Sequence, residues 1–347
     1  MIKNLVRKNI LNLKPYSSAR NKFIDGILLD ANENPYDLFG EEYAKNLNRY
    51  PDPNHTKLRE KLAEYYDISK NNLFAGSGSD EVIDLMVRIF CEPGKDNVIV
   101  PEPTYGMYKV ACDIHDVDYQ SVNLNLDFEL DIDLILERCD ENSKLIFLCS
   151  PNNPTGNLLN INKITQLAEN FKGIIVIDEA YVEYSESHKS IDDLKQYDNV
   201  VRMRTFSKAW GLAGLRIGYC FAHQEIIELL YTIKSPYNLN KYSQMKAIDA
   251  LSNESIMLKN RAFILEERKK IISFLKEWNY TLEVYRSDAN FVLFRTSVAD
   301  RLFNYLVNKG IIIRDRGNQV NLNNCLRVSV GTSDENRIFM EAIREFI

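Results

Sequence analysis

Thr205-Phe206-Ser207-Lys208-Ala209-Trp210-Gly211-Leu212-Ala213-Gly214-Leu215-Arg216 is the stretch whose reading decides the fold. Just upstream, Val200, Val201 and Met203 make a short apolar run that predicts a buried strand, so Lys208 stands just past a strand end. Downstream come two glycines, and Arg216 follows eight residues after the lysine. A lysine held there is placed for a lowered pKa and for Schiff-base chemistry with a carbonyl. Two other segments share this placement. Ser150-Pro151-Asn152-Asn153-Pro154-Thr155-Gly156 follows the apolar run 145–149, and Asp178-Glu179-Ala180-Tyr181 follows the β-branched run 174–177. A carboxylate buried behind such a run is costly without a partner. Asp178 therefore reads either as the partner of a buried cation or as an N-cap of the next helix.

Working outward, apolar runs at 97–100, 145–149, 174–177, 200–203 and 217–221 alternate with helical patterns. Val82, Leu85, Met86, Ile89 and Phe90 mark one such helix, beginning near Ser79, and another is expected over 55–66. This alternation predicts an α/β fold with a mainly parallel sheet covered on both faces. From about 235 to 278 the pattern is helical. Strands near 281–285, 290–294, 311–314 and 325–330, with helices near 298–309 and at the end, predict a smaller α+β domain. The expected division is an N-terminal arm shared with the small domain over 1–48, a large domain over 49–240 and a small domain over 241–347.

The chain has 347 residues, a net charge of -6 and 45% hydrophobic residues. No basic field exists to attract nucleic acid or an anionic membrane. No apolar run approaches the roughly 18 residues of a membrane span, and the start lacks the apolar core of a signal peptide. Cys91, Cys112, Cys139, Cys149, Cys220 and Cys325 show no C-x-x-C spacing, and several sit in apolar runs. They read as reduced residues of a cytoplasmic protein. His55, His115, His188 and His223 show no ligand spacing, so no metal is expected.

Gly76-Ser77-Gly78-Ser79-Asp80-Glu81 opens the helix near Ser79. It is neither a dinucleotide fingerprint nor a P-loop. Its glycines and helix start suit an anion, and they equally suit an ordinary N-cap. Set beside asparagine, aspartate and lysine at successive strand ends, the anion reading gains weight. Asparagine for a phenolic oxygen, aspartate for a pyridinium nitrogen and lysine for an aldehyde together make the requirements of a pyridoxal 5′-phosphate site.

On these residues the chain resembles the fold-type I, pyridoxal-phosphate-dependent aminotransferases, most closely their histidinol-phosphate branch. The resemblance implies a seven-stranded, mainly parallel sheet with helices on both faces. It implies Lys208, Asp178 and Tyr181 as the catalytic group, with Tyr181 and Asn153 on the cofactor's phenolic oxygen. Gly78, Ser79, Asp80, Thr205, Ser207 and Arg216 would form the cofactor-phosphate site, and Tyr105 in Pro103-Thr104-Tyr105-Gly106 would stack on the ring. Arg49-Tyr50-Pro51 resembles the family segment that reaches a partner subunit's cofactor, which implies a homodimer. Arg327 in Cys325-Leu326-Arg327-Val328 falls where the family grips the substrate's anionic tail. With Arg314 and Tyr16 it would suit a phosphate dianion better than a lone carboxylate. Asn153 is expected to touch the substrate too. The implied reaction exchanges an amine between L-histidinol phosphate and 2-oxoglutarate, giving glutamate. An aromatic-amino-acid aminotransferase and a threonine-phosphate decarboxylase share most of these motifs. A transcription regulator on this fold would need a DNA-binding extension of about 60 residues, which the irregular arm does not supply.

Overall fold

The expected apolar runs fold as strands, and two segments that no apolar run announced join them. The computed structural model describes residues 2–16, 18–21, 26–38, 47–185 and 195–346. Ser17 and His188 lie outside the described residues. The large sheet holds β1 (Leu73–Gly76), β2 (Asn97–Glu102), β3 (Asp118–Asn123), β4 (Ser143–Cys149), β5 (Ile174–Asp178), β6 (Val200–Thr205) and β7 (Gly218–Phe221). Its order is β1-β7-β6-β5-β4-β2-β3. The strands from β3 to β6 run parallel, whereas β7 runs antiparallel to both β6 and β1.

The helices are α1 (Lys8–Leu11), α2 (Thr56–Tyr66), α3 (Ser79–Phe90), α4 (Met107–Ile114), α5 (Ile132–Arg138), α6 (Ile161–Asn170) and α7 (Gln224–Ile233). Alternate residues of a strand point to opposite sheet faces, and the burial follows that rule. Val98, Val100, Phe147, Val176 and Val201 pack with Val82, Met86 and Ile89 of α3. Ile99, Ile146, Leu148, Ile175 and Ile177 pack on the other face with Ile135 of α5 and with Ile164 and Leu167 of α6. Each fully buried side chain of this size stabilises by roughly 1.5–3 kcal/mol. Such two-sided burial is why these strands read as unbroken apolar runs.

Two consecutive helices, α8 (Lys241–Ser252) and α9 (Glu254–Glu277), replace the single helical stretch expected to 278, with Asn253 between them. The small domain adds β8 (Thr281–Val284), β9 (Phe291–Thr296), α10 (Ala299–Asn308), β10 (Arg314–Asp315), β11 (Cys325–Ser329) and α11 (Ser333–Glu345). Its antiparallel sheet has the order β10-β11-β9-β8. Val292, Phe294, Leu326 and Val328 face α9, α10 and α11. The opposite face places Leu293 and Cys325 in the core of the large domain.

The arm divides differently from the expectation for 1–48. Ile2 and Val6 are buried in the large domain's core, and Arg7 N–H donates to Ile89 O at 3.0 Å. Two apolar side chains and a backbone bond thus tie residues 2–7 to the large domain. Further on, buried Arg20 pairs with Asp30 and Glu33, both at 2.6 Å, and Arg49 reaches Glu33 at 2.9 Å.

Candidate active site

Parallel pairing in register aligns three strand ends. Cys149 of β4 lies opposite Asp178 of β5, which lies opposite Met203 of β6. The segments that leave these ends carry Asn153, Tyr181 and Lys208, so residues far apart in sequence meet at one carboxyl edge of the sheet. One cleft there is lined by Ser79, Asp80, Tyr105, Asn153, Asp178, Tyr181, Thr205, Ser207, Lys208 and Arg216, with Cys149 and Ala180 completing the wall. A second hollow, at the opposite ends of β6 and β7, is lined by Asp67, Ser69, Arg202 and His223 and contains none of these groups.

Asp178 is buried at 2% exposure and makes no ion pair among the described residues. Tyr108 donates its phenol to Asp178 Oδ2 at 2.9 Å, and the Ala180 backbone N–H donates to Oδ1 at 3.0 Å. Burial outweighs these two donors and pushes the carboxyl pKa up to about 6. Tyr108 is itself fully buried in α4, stacked on Phe147 with ring centroids 4.9 Å apart. It thus fixes the carboxylate's orientation. Sequence reasoning missed it.

Lys208 opens onto the cleft while the cleft walls crowd it. Desolvation first, and the positive charge of Arg327 second, push its pKa below the usual lysine value. Its Nζ stands 5.4 Å from the centre of the Tyr181 ring. Asn153 Nδ2 reaches Tyr181 Oη at 3.5 Å, and Asn153 Oδ1 accepts from Arg327 Nη1. Burial also raises the Tyr181 phenol, which keeps it a hydrogen-bond donor. The Cys149 thiol is buried and pushed up likewise, so it serves as wall and not as nucleophile.

At the start of α3, Gly78 takes φ +82, and a Cβ there would meet Arg216 Nη2 at 2.8 Å. Gly218 is equally constrained, since a Cβ on it would come within 2.2 Å of Ser79 N. Two glycines thus let β7, the α3 N-terminus and Arg216 converge. Asp80 holds that convergence together, pairing with Arg216 at 3.1 Å and accepting from Tyr105 Oη at 3.2 Å. Thr205 Oγ1 and Ser207 Oγ lie 2.9 Å apart on the other side. Helix N–H groups, two hydroxyls and a guanidinium make an anion site. Asp178 has two hydrogen-bond donors and no ion-pair partner among the described residues. These groups therefore fit pyridoxal phosphate: the α3 end for its phosphate, Asp178 for its ring nitrogen, Asn153 and Tyr181 for its phenolic oxygen, and Lys208 for its aldehyde.

The family model for class I and II aminotransferases matches residues 24–343. The chain belongs to that family. It is a transferase that works with pyridoxal 5′-phosphate. A histidinol-phosphate aminotransferase of Christiangramia forsetii is 46% identical over 348 residues, spanning 99% of this chain and 97% of that protein. The histidinol-phosphate aminotransferase structure from Clostridium acetobutylicum superposes with a TM-score of 0.79 at 27% identity, covering 87% of this chain and 91% of that one. The Sinorhizobium meliloti histidinol-phosphate aminotransferase, solved with pyridoxal-5′-phosphate, gives a TM-score of 0.80 at 26% identity, covering 86% and 84%.

In this aminotransferase the remaining expected residues lie outside the cleft lining. Gly78 adjoins the cleft through Arg216. Tyr50 stacks on Tyr237 with centroids 4.3 Å apart, and its backbone N–H donates to Glu33 Oε1 at 2.7 Å. Tyr16 is 73% exposed and lines a separate cleft with Pro53, Asn54 and Lys234. Within one chain, neither tyrosine meets Lys208. Arg327 reaches the cleft through Asn153, and the exposed Arg314 lies directly across the β10–β11 ladder from it.

Proposed function

We propose that this aminotransferase moves an amino group between L-histidinol phosphate and 2-oxoglutarate, a step of histidine biosynthesis. The observation that carries the reading is Arg327, which reaches the lysine cleft through its bond to Asn153 and has no carboxylate partner among the described residues. Such a guanidinium can hold the carboxylate of glutamate in one half-reaction and a phosphate in the other. The full-length likeness to histidinol-phosphate aminotransferases supports the phosphate-bearing donor.

Bound pyridoxal phosphate supplies an aldehyde for the donor amine and a protonated ring that draws off electrons. Lys208, with its lowered pKa, takes the proton from the donor's Cα and returns it on the product side. Asp178, oriented by Tyr108 and the Ala180 N–H, keeps a proton on the ring nitrogen. Tyr181 and Asn153 offer hydrogen bonds to the phenolic oxygen, and Arg327 fixes the donor's anionic end.

The same reading includes a cytoplasmic homodimer. It is supported by six unpaired cysteines and by a run of exposed apolar residues in the arm, Ile27, Leu29, Tyr36 and Leu38, each more than 80% exposed. A donor panel against 2-oxoglutarate tests the substrate. Histidinol phosphate should outrun phenylalanine and threonine phosphate. Preference for phenylalanine, or carbon dioxide released from threonine phosphate without a keto-acid acceptor, would replace the proposal with the corresponding rival.

A further inference from the structure

We propose that Arg316 is a third guanidinium of the substrate-anion site and the residue that makes the site select a phosphate dianion. This rests on the histidinol-phosphate reading and goes beyond the arginine pair, Arg314 and Arg327, that the sequence motifs assign.

Arg316 N–H donates to Cys325 O at 2.9 Å, extending the ladder in which Arg314 faces Arg327. Alternation along a strand puts Arg314, Arg316, Cys325 and Arg327 on one sheet face. Leu326 and Val328 take the other face, into the helical core of the small domain. The arginine face is thus turned to the large domain, where Cys325 is buried in its core and Arg327 lies 5.1 Å over the Phe291 ring. Phe291 in turn packs edge-on against Tyr181, the tyrosine of the lysine cleft, at 5.2 Å.

Among the described residues no ion pair neutralises this cluster, although the charge of Asp315 acts on Arg316. Arg316 Nε and Arg327 Nε are both shut off from water without a hydrogen-bond partner. No acid pairs with either guanidinium among the described residues. Asp315 sits on the opposite strand face, and its Oδ1 accepts from Gly317 N–H at 2.7 Å. Burial followed by the charge of Arg316 pushes Arg327 down to about 10, with Arg314 contributing less. Arg316 is itself lowered by burial and by Arg314, and the Tyr181 phenol lies within its field. A structural arginine would bond a carbonyl or carboxylate, as Arg268 does with Ala289 O at 2.6 Å. Arg316 does neither.

Three facing guanidiniums repel one another until an anion arrives. A carboxylate carries one charge and is well met by the fork of Arg327 alone. A phosphate carries nearly two charges at neutral pH and has three acceptor oxygens, so it can engage more than one fork. Arg316 should therefore matter more for the phosphate-bearing donor than for glutamate.

The test compares histidinol phosphate, histidinol and glutamate as donors for the wild-type holoenzyme, Arg316→Gln and Arg316→Lys between pH 5.5 and 8. For Arg316→Gln, kcat/KM for histidinol phosphate should fall about ten- to a hundredfold, and glutamate and histidinol several times less. Wild-type kcat/KM should climb as the substrate phosphate loses its second proton near pH 6, and that climb should flatten in the Gln variant. Arg316→Lys keeps a charge without the fork and should fall between. Equal losses for all three donors, or none, would overturn the assignment of Arg316. A wild type indifferent to the phosphate would instead overturn the histidinol-phosphate reading on which it rests.

Discussion

At the end of β5, Asp178 turns toward α4 and the lysine cleft, while Glu179 turns toward β6, where Arg202 Nε and Arg204 Nε each reach it at 2.7 Å. Both carboxylates are almost completely buried. The two guanidiniums hold Glu179 below the usual carboxylate range, whereas burial with no ion pair lifts Asp178 to about 6. Equal burial with opposite pKa shifts separates a charge the fold has satisfied from one it has not. Glu179 binds β6 to the loop after β5. Asp178 is held in place by two donors, and the proposed function gives it a pyridinium as its partner.

Substitutions can break this contrast, and the largest effect belongs to the group that faces Asp178 across the cleft. Lys208→Ala should lower turnover by at least about 10²–10⁴-fold, the range of a lost acid–base group. Borohydride reduction followed by peptide mapping should find the cofactor on Lys208 in the wild type. A label on another lysine would dissolve the site described here.

Next comes Glu179→Gln, which leaves two buried guanidiniums facing an amide. Loss of one member of a buried ion cluster costs about 3–5 kcal/mol, so a urea titration should show a large drop in midpoint. An unchanged midpoint would mean that Glu179 is not the fold's anchor there.

Tyr108→Phe should have the smallest effect and should sharpen the role of Asp178. The phenol favours the ionised carboxylate, so its removal should raise the Asp178 pKa further, by about one pH unit. In the cofactor-free protein the pH window over which stability is lost should move upward accordingly, and holoenzyme turnover at neutral pH should fall about tenfold or less. A loss of rate with an unmoved window would assign Tyr108 to packing alone.

The same contrast shows what a sequence can disclose. Strands β2, β4, β5 and β6 were legible because burial on both faces demands unbroken apolar runs. Strand β3 was not, since only Val122 of its six residues is buried and it closes the edge of the sheet. Strand β1 has only four residues, too few to set a pattern. Asn153, Asp178 and Lys208 could be read because chemistry and strand ends coincide in the chain. Tyr108 could not, because its bond to Asp178 spans 70 residues and depends on how α4 docks. Arg316 left a fainter trace, two residues from Arg314 and hence on the same strand face. Tyr16 and Tyr50 lie away from the lysine cleft within one chain. The proposed dimer assigns Tyr50 to a neighbour's cleft, and mixing Tyr50→Phe with Lys208→Ala subunits should then restore activity through one intact site.

The central claim is that the charge of Asp178 is uncompensated until the cofactor binds. Its folded pKa is raised, so its contribution to stability is fully present below the unfolded value of 3.8 and is lost as pH rises through about 6. Asp178→Asn carries no such penalty. The direct measurement is urea unfolding of the cofactor-free wild type and Asp178→Asn at several pH values between 4 and 7.5. The variant should gain on the wild type as pH rises, by up to about 3 kcal/mol at pH 7, with the gap closing near pH 4. A variant that is equally or less stable at pH 7, with no dependence of the gap on pH, would contradict the account.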